Sequence, residues 1–80
     1  MQSKINIAKV GEGHQTLIYD TQNKEEVDKI TSELTKKTNN FMIYGKLENE
    51  AVAISPNQIR EFVLDEKFTE KAVVQILGGG

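Results

Sequence analysis

The sequence predicts a single small α+β domain, with a mainly antiparallel sheet and one helix packed on one face of it. Three observations predict it. Eighty residues suffice for one domain and are too few for two. Apolar residues in both halves of the chain follow strand-like patterns, bounded by Gly, Asn, Asp and Glu turns. Between them one segment switches to helical spacing and carries both start and stop signals. A fold of this size hides only about 60% of the surface its unfolded chain exposes, so its core is thin.

Ile5 and Ile7 alternate with polar neighbours and Val10 closes the first run. Gly11-Glu12-Gly13-His14 follows, then a second β-rich run, Thr16-Leu17-Ile18-Tyr19. Two such runs around a short Gly-containing loop read as a β-hairpin. Val27, Ile30 and Leu34 then fall on one face of a helix, predicted over residues 24–38. Asn23 with Glu26 has the spacing of a capping box. Glu25–Lys29 and Glu33–Lys37 are i, i+4 pairs in the favourable order. Lys36 and Lys37 meet the negative end of the helix dipole, and Asn39 and Asn40 suit a left-handed stop.

Residues 41–47, Phe-Met-Ile-Tyr-Gly-Lys-Leu, are apolar on both faces, which predicts a central strand. Glu48-Asn49-Glu50 forms a polar turn, and Ala51–Ile54 resumes as a strand. Ser55-Pro56-Asn57-Gln58 combines a cap, a proline at the first helical position and a capping-box glutamine, so a helical turn starts there. Ile59, Phe62 and Val63 fit a continuing helical face, whereas Phe62-Val63-Leu64 fits a short strand after one turn. One turn followed by a strand is the expected arrangement. Asp65-Glu66-Lys67 is a turn, and Ala72–Leu77 is a strand by its β-branched content. The predicted order is β-β-α-β-β-(turn)-β-β.

This order has a consequence for the layers. A helix of fifteen residues is about 22 Å long and covers only part of one face of a six-stranded sheet. Yet several strands carry apolar side chains on both sides: Leu17 and Tyr19 opposite Ile18, Met42 and Tyr44 opposite Phe41 and Ile43, Val73 and Leu77 opposite Val74 and Ile76. Either the sheet curls into a partial barrel around its own core, or a second copy or another protein covers the remaining face.

Composition narrows the chemistry. Ten Lys and Arg balance twelve Asp and Glu to a net charge of −2, which argues against a whole-molecule grip on nucleic acid or acidic lipid. Without cysteine there is no thiolate nucleophile and no Cys-based metal site. The first residues lack the apolar run of a signal peptide, and no window approaches a membrane span, so a soluble cytoplasmic protein is expected. Gly11 and Gly13 lead into a strand and not into a helix N-terminus, so they read as a turn and not as a phosphate loop. His14 with Glu12 or Asp20 falls short of a metal ligand set, and neither a metal nor another cofactor is expected. Ser3, Ser32 and Ser55 have no evident activating base, and the acids sit in turns and on a helix face, so no enzymatic activity is expected. Lys36, Lys37, Lys46 and Arg60 form at most a small basic patch beside Tyr44, without an aromatic RNA-reading motif, and nucleic acid is not the expected partner.

Tyr19, Met42, Tyr44, Arg60 and Phe62 are of types enriched at interface cores or among their energetic hot spots. Tyr19, Met42, Tyr44 and Arg60 are the candidate interaction surface. The expected function is a small, non-catalytic protein-interaction module, of the kind common among bacterial and phage accessory proteins, acting as a homodimer or through a protein partner.

The last strand runs into Gly78-Gly79-Gly80. In its ββα start and glycine tail the chain resembles ubiquitin-like and sulfur-carrier proteins of the β-grasp fold. That resemblance implies a carrier in which Gly79 and Gly80 form the reactive tail, adenylated and then joined to sulfur or to a lysine. The chain departs from the pattern in its third glycine, in two strands in place of one after the helix, and in lacking a Gly-Asp turn before the last strand.

Overall fold

The structure, a computed structural model, describes residues 1–11 and 13–76. It contains β1 (Gln2–Lys9), β2 (Gly13–Asp20), α1 (Lys24–Lys37), β3 (Phe41–Leu47), β4 (Glu50–Ala53), a 3₁₀ turn (Pro56–Gln58), α2 (Ile59–Leu64) and β5 (Glu70–Gln75). The five strands form one mixed sheet in the order β2-β1-β5-β3-β4. All neighbours are antiparallel except the β1–β5 pair.

Local chemistry accounts for most of these elements. Gly11 and Gly13 take φ of +78° and +80°, the left-handed values that a side chain disfavours, and so turn β1 into β2. Between β3 and β4, Glu48 and Asn49 both have positive φ, as a tight two-residue hairpin requires. The Asn23 side chain accepts from the Glu26 N–H at 3.2 Å and starts α1. Glu26 does not complete the reciprocal box; its carboxylate accepts from the Asp20 N–H at 2.8 Å and ties the helix to β2. The expected left-handed stop at Asn39–Asn40 is absent. Thr38 keeps right-handed backbone and donates its N–H to the Thr35 carbonyl, so α1 ends in a tightened turn.

The largest difference from the expected order lies at residues 59–64. They form α2 and not a turn followed by a strand, so the sheet has five strands. Phe62-Val63-Leu64 has strand-like composition, but Ile59, Phe62 and Val63 share a helical face, and all three are buried. α1 and α2 pack on each other and on the same side of the sheet. Two helices, not one, therefore cover that face, and the sheet stays open with no barrel closure. The core between the layers is Ile5, Ile7, Tyr19, Val27, Ile30, Leu34, Ile43, Ile59, Phe62, Val63 and Val73. Gly45 sits under the Phe68 ring, where a Cβ would overlap the ring atoms, and Phe68 in turn packs on Phe62 with centroids 5.3 Å apart.

The ββα start leads into a mixed sheet in which β1 and β5 pair in parallel, with the helices crossing one face. β4 lies at one edge of the sheet, beside β3, and β2 at the other. Among the described residues, no helix is long and apolar enough to cross a membrane.

Candidate interaction site

Strand alternation sorts every side chain to one of two faces. Register places Ser3, Ile5 and Ile7, Leu17 and Tyr19, Phe41, Ile43 and Gly45, and Lys71 and Val73 beneath the helices. On the opposite, uncovered face, three strands run side by side. Val74 lies between Ala8 and Met42, and Ala72 between Asn6 and Tyr44, which in turn faces Ala53. Apolar groups thus gather on β5, β3 and β4, whereas β1 and β2 contribute Lys4, Asn6, His14 and Thr16 to the same face, with Ala8 and Ile18 among them. Met42 is 52% exposed and Tyr44 half-buried. Where β3 begins and β4 ends, a shallow hollow of about 230 Å³ opens at the end of the sheet, lined by Met42 and Ala53 together with Phe41, Ile43 and Ile54 from the covered side. Lys46 pairs in register with Glu70, so opposite charges close the other end of the strip.

Of the sequence-derived candidates, Met42 and Tyr44 lie together on this face. Tyr19 does not: it is 3% exposed and belongs to the core. Arg60 lies on α2, on the helix side, where it is exposed and pairs with Asp28 at 2.7 Å. Phe62 is core as well. Nor do the lysines form one patch, since Lys46 is on the open face while Lys37 stands 5.1 Å above the Phe41 ring on the covered side. Gly79 and Gly80 lie outside the described residues. Among the described residues, no three His, Asp or Glu side chains gather as a metal-binding group would.

One polar centre was missed in the sequence. Lys71 is 3% exposed, on the covered face with Val73. Its Nζ donates to the Tyr19 hydroxyl at 3.0 Å, the Val63 carbonyl at 3.1 Å and Ser3 Oγ at 3.3 Å. The Tyr19 and Phe62 rings stand 5.6 and 5.5 Å from it. The Tyr19 hydroxyl itself donates to the Val63 carbonyl at 2.6 Å. That carbonyl is among the last four of α2, which lack helical partners, so lysine and tyrosine together cap the negative end of the helix. Burial pulls the Lys71 ammonium below its ordinary value of 10.5, against the opposing pull of Asp65 and Glu66. Burial likewise pushes the Tyr19 hydroxyl above 10.0, partly offset by its hydrogen bond with Ser3. With three acceptors around its three N–H groups, Lys71 acts as a structural cation joining β1, β2, β5 and α2. Parity offered the signal: Lys71 is two residues from Val73, but a strand begun at Ala72 left it in a loop.

No protein-family model, no curated protein and no solved structure matches the chain.

Proposed function

We propose that the chain is a small, non-catalytic, cytoplasmic protein-binding module whose contact surface is the open sheet face around Met42 and Tyr44. The observation that supports this reading is the segregation on that face: the apolar side chains collect on β5, β3 and β4, and no element among the described residues covers them. Burying such a strip gains about 25 cal/mol per Å² of apolar area, against the cost of association. Met and Tyr are enriched at interface cores, and the Lys46–Glu70 pair supplies a polar rim. The occupant is a protein surface, from a different chain or from a second copy.

Tyr44→Glu tests the reading. It should abolish capture of the partner in a pull-down while circular dichroism and the melting profile stay those of the wild type. A variant that unfolds would make Tyr44 a core residue, and a folded variant that still captures the same partner would place the contact elsewhere.

A further inference from the structure

The two edges of the sheet are not alike. Because the Thr21 N–H donates to the Met1 carbonyl at 3.0 Å, the alternation of an antiparallel ladder makes Ser3/Tyr19, Ile5/Leu17 and Ile7/Gln15 the pairs that exchange hydrogen bonds. The residues between them, His14, Thr16, Ile18 and Asp20, aim their backbone groups away from β1. Asp20 is already satisfied, its N–H by the Glu26 carboxylate at 2.8 Å and its carbonyl by the Asn23 N–H at 3.0 Å. His14, Thr16 and Ile18 are left with their N–H and C=O groups facing outward, and no described residue meets them.

Native sheets blunt such an edge with lysine, proline, a bulge or a short strand. β2 uses none of these. It is eight residues long, its register with β1 is unbroken, and His14–Ile18 contains no Lys, Arg, Asp, Glu or Pro. At the other edge β4 has four residues and is followed closely by Pro56.

We propose that two copies of the chain join edge to edge through β2, antiparallel about a two-fold axis at Thr16, into one continuous ten-stranded sheet. The free groups are self-complementary in that register. Thr16 faces Thr16 of the second copy and His14 faces Ile18, in both directions, so every outward N–H and C=O of the three residues finds a partner. The Thr–Thr contact is a favourable cross-strand pair. Ile18, at 64% exposure the large apolar side chain of the polar half, gains a neighbour across the axis. On the helix side the same register sets Gln15 opposite Leu17. There a groove of about 450 Å³ runs between β2 and α1, lined by Leu17 and Ile30 together with the charged Lys29, Glu33 and Lys37. The open faces of the two copies then lie side by side, so a partner with two sites meets a doubled surface.

The test combines sedimentation, amide hydrogen exchange and two variants. Wild type should be dimeric at about 100 μM, ample for a micromolar dimer. The amides of His14, Thr16 and Ile18 should become protected as concentration rises. Thr16→Pro removes an N–H that the monomer does not use, at an edge position where proline is tolerated. Thr16→Lys keeps the N–H but sets two like charges across the axis. Each should stay folded and weaken dimerisation by at least about 30-fold. Tyr44→Glu should still dimerise, which separates this edge from the open-face reading. A strictly monomeric wild type, exchange at the three amides that ignores concentration, or full dimerisation of both folded variants would overturn the proposal. So would a monomeric β2 edge that instead binds an unrelated extended peptide.

Discussion

On β3, Phe41, Ile43 and Gly45 lie beneath two helices, while Met42 and Tyr44, their neighbours in sequence, lie on a face that no described element covers. The same strand is thus core on one side and surface on the other. β5 repeats the pattern, with Lys71 and Val73 buried and Ala72 and Val74 on the open side. Hydropathy alone does not separate the two faces, since Met42 and Val74 are as apolar as many core residues. What separates them is supply. Fourteen residues of α1 and six of α2 furnish enough apolar surface for one side of a five-stranded sheet and none for the other. A lysine is accommodated on the covered face because three acceptors converge on it, whereas apolar groups on the open face remain in contact with water.

Truncation on the covered face should break the comparison most strongly. Phe62→Ala removes the largest fully buried side chain, which holds α2, Phe68 and the Lys71 ammonium together. A loss of about 3–5 kcal/mol is expected in urea unfolding, a large share of the stability of a domain this small. A loss below about 1 kcal/mol would mean that α2 is not docked as described.

A smaller effect should follow pH. Because the folded chain releases the Lys71 proton at lower pH than the unfolded chain, the unfolded state binds more protons in the window just below 10.5. Stability should therefore rise with pH through that window, relative to Lys71→Met. Tyr19 works the other way. Its raised value lets the unfolded chain ionise first, so stability falls above 10.0. Measurements kept below 10.0 isolate the lysine, and parallel curves for wild type and Lys71→Met would show that the cation is not held as the geometry indicates.

The smallest effect belongs to the open face. Met42→Ser should change the unfolding free energy by no more than about 0.5 kcal/mol, as surface substitutions do. A cost of 2 kcal/mol or more, in the range of about 2–5 kcal/mol seen for buried methionine truncation, would erase the distinction between the faces.

Much of the fold was legible residue by residue. The stripe Val27, Ile30, Leu34 lies buried as its spacing implied, and Asn23 caps the helix. The apolar character of 41–47 on both faces predicts a strand, as found, but leaves open whether the sheet curls around the second face; it stays open, and Met42 and Tyr44 lie there. Residue type alone groups Tyr19 and Arg60 with them, but type does not carry direction. Tyr19 shares the parity of Leu17 and turns inward, and Arg60 sits on a helix across the core. Residues 59–64 misled because β-branched and aromatic composition favours a strand when read locally, while burial of Ile59, Phe62 and Val63 against α1 favours a helix.

Residue order alone decided the local matters: where the backbone turns, at Gly11, Gly13 and the 48–49 hairpin; where α1 begins; and which side chains alternate together along each strand. These depend on steric limits and on contacts within a few residues, which a short stretch of sequence contains in full. The tertiary structure decided which face the helices cover, that β5 inserts between β1 and β3, that Lys71 finds its three acceptors, and that β2 is left as a free edge. Those outcomes depend on groups as much as 68 residues apart in the chain, such as Ser3 and Lys71, and they exist only once the layers have packed.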